Sequence, residues 1–354
     1  MRLRAFKYLA AYLLPLSVAY AFTRSDWTTF SPLIHAFVTI PFLELFIKAD
    51  ARNLAEAEQE LARKDTVYDA LLYLCLPIQY FFMIWYLNQV SGTTIHHLEF
   101  WGWSASMGLM CGILGINTAH ELGHRRSVSE KTMAKMLLMT SLYPHFFIEH
   151  NYGHHRNVAT EEDPASARYK ESLYAFWVRS VFHSYKSAWS IENKRVKKKY
   201  GTSFTLKNEM ILYILVEIVL LLSIFIIWNM TALIGFCLAA AGGILLLETV
   251  NYIEHYGLRR KKVSEYRYEN TQPAHSWNSN HIIGRLMLFE LSRHSDHHAF
   301  PHRKYQVLQN HDENPQLPTG YPGMMLLATI PPLWFRVMNP RVHKQVNLPN
   351  TTRT

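Results

Sequence analysis

The 354-residue chain has 36 Lys+Arg against 27 Asp+Glu and a formal net charge of +9. Its hydrophobic fraction, 49 %, would suit a soluble protein, but the apolar residues gather in blocks long enough to cross a bilayer, with the charges between them. The basic balance therefore reads as membrane topology rather than as nucleic-acid binding, and no nucleic-acid partner is expected. Cys75, Cys111 and Cys237 all lie inside apolar blocks without a CxxC pair, which excludes a disulfide framework and a self-built four-cysteine iron or iron–sulfur site.

In chain order, Arg2, Arg4 and Lys7 precede an apolar stretch over 8–22. A basic start followed by Ala19-Tyr20-Ala21 also fits a cleavable signal peptide. The reading taken here is a first membrane helix, because more spans follow. Further spans are expected over 30–47, 67–87, 100–119, 210–228 and 232–250, six in all. Residues 48–66 read as a short exposed helix. Met133 to Ile148 reads as a partly buried or re-entrant helix, and 193–200 (NKRVKKKY) as a solvated or headgroup-contacting basic run. The short loops 23–28, 89–98 and 229–231 hold one basic residue, Arg24, leaving the other 35 of 36 on the opposite side or at its boundary. That asymmetry predicts an even number of spans and a cytoplasmic N-terminus. The expectation is one all-α membrane-embedded domain over 1–354, six transmembrane helices under a cytosolic histidine-rich cap.

The histidines carry the chemistry. His120 and His124 stand at the exit of the fourth span, His150, His154 and His155 thirty residues on, His255 at the exit of the sixth, and His294, His297 and His298 far downstream. Residues at i, i+3 and i+4 share a helix face, so His120/His124, His150/His154 and His294/His297/His298 are each expected to aim at one point. Imidazole suits zinc, copper, iron and nickel, and nine imidazoles exceed one four-coordinate site. Glu121, Glu149, Glu254 and Asp296 neighbour the groups. Successive helical residues point about 100° apart, so each acid is expected to serve a histidine of another group, or to cap a loop, rather than its neighbour. His281 is a further candidate for supporting the ligands.

Two other readings compete. His120-Glu121-Leu122-Gly123-His124 satisfies H-E-x-x-H, in which Glu121 would be the general base of a zinc membrane protease; it leaves the other clusters without a purpose. A metal transporter would need polar residues along the spans, where Glu217 and Glu248 are the only clear acids.

The segments HELGHR (120–125), FFIEHNYGHHRNVATEEDPAS (146–166), NYIEHYGL (251–258), HSWNSNHI (275–282) and RHSDHHAFPHRKYQ (293–306), with LPTGYPG (317–323) and PPLWFRVMNP (331–340), resemble the membrane-bound histidine-box di-iron enzymes, and within them the alkane 1-monooxygenases. His255-Tyr256-Gly257 sets this branch apart from ordinary desaturases. The resemblance covers about 8 to 345. It implies two non-haem irons held by the nine histidines, O₂ as co-substrate, and terminal hydroxylation of medium- or long-chain n-alkanes. It further implies electrons from rubredoxin, reduced by an NAD(P)H-dependent reductase, and a bacterial inner membrane with the site on the cytoplasmic side. A methyl-aromatic monooxygenase, or a fatty-acyl hydroxylase or desaturase, would use the same scaffold. An apolar substrate is expected to enter from membrane lipid, with chain length limited by side-chain bulk deep in the cavity. Ala36, small between His35 and Phe37, leaves room for a longer chain if the second span lines that cavity.

Overall fold

The computed structural model describes residues 2–265 and 267–346. The described residues are helical throughout, apart from loops and a two-stranded antiparallel ribbon, β1 (Lys262–Ser264) and β2 (Arg267–Tyr268). Four helices are long and apolar enough to cross a membrane: α1 (Leu3–Phe22), α4 (Thr66–Ser91), α9 (Glu209–Ile227) and α10 (Met230–His255). They make the chain an integral membrane protein. Three of them begin where a polar side chain takes up a free backbone N–H group: Asp65 for α4, Asn208 for α9 and Asn229 for α10.

The second and fourth expected spans also form rods, but interrupted ones. Residues 27–44 (α2) pass through a π turn at His35–Thr39, and 98–123 (α5) through another at Met110–Ile116. Such turns add a residue to one helical turn and concentrate at functional sites; here one precedes His120 and the other carries Ala36. α5 and α10 pack at close range because small residues face each other: a Cβ on Gly243 would lie 2.6 Å from Cys111. This contact sets side by side the two helices that deliver His120 and His255.

Two expectations are corrected and a third is extended. The region 48–66 is helical only at α3 (Glu56–Lys64). The helix expected over Met133 to Ile148 instead spans Val128–Met139 (α6); Pro144 and His145 fall in a turn before the short helix α7 at 146–157. The basic run at 193–200 is the end of a 28-residue helix, α8 (Leu173–Tyr200), closed by Gly201 in the left-handed conformation at φ 79°. α8 shows three faces: a buried one through Phe176, Ser180 and Ser184, an exposed apolar one through Tyr174, Val178 and Phe182, and a polar one through His183, Lys186 and Lys194. Three faces blur the two-faced periodicity by which a helix is read from sequence. The chain closes with α11 (Ile282–Met287), α12 (His294–Ala299), α13 (Tyr321–Ala328) and α14 (Pro331–Val346).

Candidate metal centre

All nine histidines come together, in two groups. His120, His124, His150, His155 and His297 form one; His154, His255, His294 and His298 form the other. In each, one donor atom per residue lies within 4.8 Å of every other. The Nε2 atoms converge: 3.0 Å between His124 and His150, 3.0 Å between His155 and His150, 3.1 Å between His155 and His124. In the second group His298 is 2.8 Å from His294 and 3.2 Å from His154, and His294 is 3.2 Å from His255. Two nitrogens bound at about 2.1 Å and at right angles on one ion stand about 3.0 Å apart. His120 Nε2 is buried without a hydrogen-bond partner among the described residues, as a donor reserved for a metal would be. The donor set fits two ions.

The assortment differs from simple helical spacing. His120 and His124 share a group, and so do His294 and His298, as i, i+4 geometry demands. His150 and His154 do not. The backbone N–H of His155 bonds to the carbonyl of His150, a five-residue step that puts His155 under His150 and swings His154 to the other group. His297, one residue from His298, likewise points to the first group.

Burial first, and then the neighbouring imidazoles, hold His150, His155, His294, His297 and His298 well below the ordinary histidine range. Neutral rings are what ligation requires. His154 is the exception: burial, the largest single influence, pushes it down, but the Asp163 carboxylate together with Glu149 and Glu248 raises it. Asp163 Oδ2 is 2.9 Å from His154 Nδ1 and also accepts from the Ser166 hydroxyl. With Nδ1–H donated to this carboxylate, Nε2 is left as the lone-pair donor. Asp163 was not singled out from the sequence, since it lies nine residues past its histidine; its signal is the Asp163-Pro164-Ala165-Ser166 turn that it anchors. Asp163→Asn is expected to weaken metal binding by the four-histidine group by roughly 10–100-fold. Metal titration of the purified variant checks this, and an unchanged affinity would assign Asp163 to the turn alone.

The four acids next to histidines have separate surroundings. Glu254 Oε2 is 3.1 Å from His294 Nε2, the same nitrogen that converges with His298 and His255, so it lies on the donor side of that ring, and its Oε1 accepts from Tyr321 at 2.6 Å. Glu121 pairs with Arg125 at 2.7 Å and accepts from the Tyr305 backbone at 3.2 Å; so tied, it is not placed as the general base of a zinc protease. Asp296 binds Arg303, His311 and the Gln309 backbone, fixing the 303–311 loop over α12. Glu149 is buried beside Gly153, where a Cβ would lie 2.5 Å from its Oε1. His281 bonds to Ser279 and lines a separate small cleft with Asn280, Asn310 and His311. Glu248 accepts hydrogen bonds from the Tyr143 and Ser180 hydroxyls and so is not free to serve an ion path.

His120, His150 and His294 form the polar end of an apolar cavity of about 750 Å³. Glu254 is the one carboxylate among its lining residues, and Ala36 stands in its wall. Along α5 the lining runs from Gly112 to His120, and along α10 from Leu246 to Glu254, roughly 12 Å in each case at 1.5 Å per residue.

The fatty acid desaturase family profile matches residues 95–328, which include every histidine of both groups. Alkane 1-monooxygenase 1 of Alcanivorax borkumensis is 39 % identical over 331 residues, 93 % of this chain and 81 % of its own length. The alkane 1-monooxygenase of Acinetobacter baylyi is 41 % identical over 305 residues, 86 % of this chain and 74 % of its own. The xylene/toluene monooxygenase hydroxylase component of Pseudomonas putida is 27 % identical over 278 residues, 76 % of this chain and 72 % of its own.

Proposed function

The chain belongs to the alkane 1-monooxygenase family, and from that premise we propose that it hydroxylates the terminal carbon of medium- or long-chain n-alkanes, with two irons, O₂ and electrons from rubredoxin. The observation that carries this reading is two converging histidine groups at the end of a long apolar cavity. The reaction takes RCH₃, O₂, two electrons and two protons to RCH₂OH and H₂O. An unactivated C–H bond offers neither charge nor leaving group to side-chain acid–base chemistry, so a redox metal that activates O₂ supplies what the protein cannot; this favours iron over redox-inert zinc.

The chain's own residues have three tasks in this reading. The histidines hold the metals. The cavity walls hold the alkane and exclude water from its reacting end, with burial worth roughly 0.8 kcal/mol per CH₂. Glu254 and Tyr321, linked at 2.6 Å, keep a polar boundary beside His294 where protons are consumed.

The topology follows the charge pattern: six spans, α2 and α5 among them, with the histidine cap on the cytoplasmic face of a bacterial inner membrane. His124 and His155 are partly exposed, beside the exposed Arg126 and Arg156. The edge of the five-histidine group thus meets a basic surface, which suits an acidic donor reduced by an NAD(P)H-dependent reductase.

The test is metal content of detergent-purified protein, beside octane and hexadecane turnover with reduced rubredoxin. About two irons per chain, the count implied by two donor groups, and an oxygen-dependent 1-alkanol are expected. A zinc protein with no oxygen-dependent product would overturn the reading.

A further inference from the structure

α1 and α2 are joined by a short turn and pack on each other at that end, through residues 13–22 against 27–34. Beyond Ser17 and His35 each helix packs chiefly on elements other than its neighbour. The 6–12 stretch of α1 packs on α11, while the π turn and last turns of α2 pack on α11 and α13. The cavity lies between them. Several of its lining residues are also on the outer surface of these apolar rods: Leu13 is 58 % exposed, Leu16 67 % and Leu43 40 %. A wall residue that is also exposed marks an opening, and this one faces sideways, where hydrocarbon surrounds the rods.

At the apex of the opening, Ser17 Oγ and His35 Nδ1 are 2.7 Å apart. Both side chains line the cavity. His35 is also the first residue of the π turn that carries Ala36. Each group would be costly to leave unpaired in hydrocarbon, and the low dielectric strengthens the bond between them.

We propose that the gap between α1 and α2 is the lateral portal through which substrate passes from the bilayer, and that the Ser17–His35 hydrogen bond clasps its apex and sets the girth of chain admitted. This inference rests on the alkane reading above. It goes beyond it by assigning the entry route and two specificity-determining residues remote from the metal ligands. Ordinary polar contact between spans would also place a serine opposite a histidine; that role stabilises the fold without selecting among substrates.

The experiment compares n-octane with an alkylcyclohexane, which offers the same terminal methyl on a bulkier tail, using the membrane-embedded enzyme with its reductant. Wild-type turnover of octane to 1-octanol comes first; its failure would strike the alkane reading and not the portal. In His35→Leu and Ser17→Ala, kcat/KM for the alkylcyclohexane relative to octane is expected to rise by a few-fold to roughly tenfold, the range set by one net hydrogen bond. The double variant should rise no further, because one bond is shared. His35→Gln, which keeps a partner for Ser17, should fall back toward wild type. Leu16→Trp should lower the same ratio by narrowing the opening. A ratio that stays within about twofold of wild type in both single variants, below what one hydrogen bond is worth, would overturn the proposal. So would identical behaviour of His35→Leu and His35→Gln. The ratio is taken within each variant, so loss of folded protein cancels. Should His35→Leu not accumulate, Ser17→Ala carries the same comparison.

Discussion

Alanine at His154 and alanine at His155, neighbours in the chain, are expected to damage different metal sites. His154 belongs to the four-histidine group and His155 to the five-histidine group. Losing one of four donors leaves three, and the ring is also the one that Asp163 orients. His154→Ala should therefore fall from about two irons per chain toward about one, because metal affinity depends on ligand count as well as on second contacts. His155→Ala keeps four histidines around its ion. It should retain more iron but with an altered environment, since His155 is the ring within 3.2 Å of His124, His150 and His297 at once. Both variants should lose alkane hydroxylation by more than the roughly 10–100-fold that follows removal of an outer contact. Iron analysis and Mössbauer spectra of the two proteins provide the check. Distinct subspectra should change in the two cases, and the same change in both would mean that the two groups act as one pool. His297→Ala and His298→Ala form a second adjacent pair with the same expectation, His297→Ala resembling His155→Ala.

Which histidines come together was legible in the chain and their partition into two groups was not, and the difference is physical. A histidine cluster at a span exit reports which side chains are near the site, since spacing and context survive in sequence. Partition depends on the local helical pitch. Regular α geometry pairs His150 with His154; the π turn at His150–His154 pairs His150 with His155. Nothing in His-Asn-Tyr-Gly-His-His announces a π turn. The same applies to α2 and α5, whose π turns fall inside apolar runs that read as uniform spans. Asp163 was missed for another reason: it approaches His154 through a loop, and loop contacts leave no period. Glu254, Glu121 and Asp296 contact residues other than their chain neighbours, in keeping with the rotation of about 100° per residue that the backbone imposes. α8 was the largest omission in the fold.

Tryptophan at Ala36 is expected to shorten the longest alkane accepted while sparing octane. Ala36 is 8 % exposed and sits in the cavity wall on the π turn of α2. Its small side chain leaves space where an indole would stand. The terminal methyl must reach the histidine end, so added bulk in the wall cannot shift the reacting carbon without loss of reaction. It can only deny room to the trailing chain. Each methylene kept out of apolar contact forfeits roughly 0.8 kcal/mol. Excluding four of them costs about 3 kcal/mol, on the order of 10²-fold in kcat/KM at 1.4 kcal/mol per tenfold. The quantity to measure is the hexadecane-to-octane ratio of kcat/KM in wild type, Ala36→Leu, Ala36→Phe and Ala36→Trp. It should fall in that order, with octane turnover changing by much less. Retained octane turnover separates a shortened cavity from a misfolded one, since misfolding would lower both substrates together. A ratio indifferent to the size of residue 36 would mean that the chain runs along another wall, with the α5 and α10 faces at Gly112 and Leu246 the next positions to enlarge. The measurement also separates cavity depth from portal width. A substitution at Ala36 acts on length among linear chains, whereas the Ser17–His35 pair acts on girth at constant length.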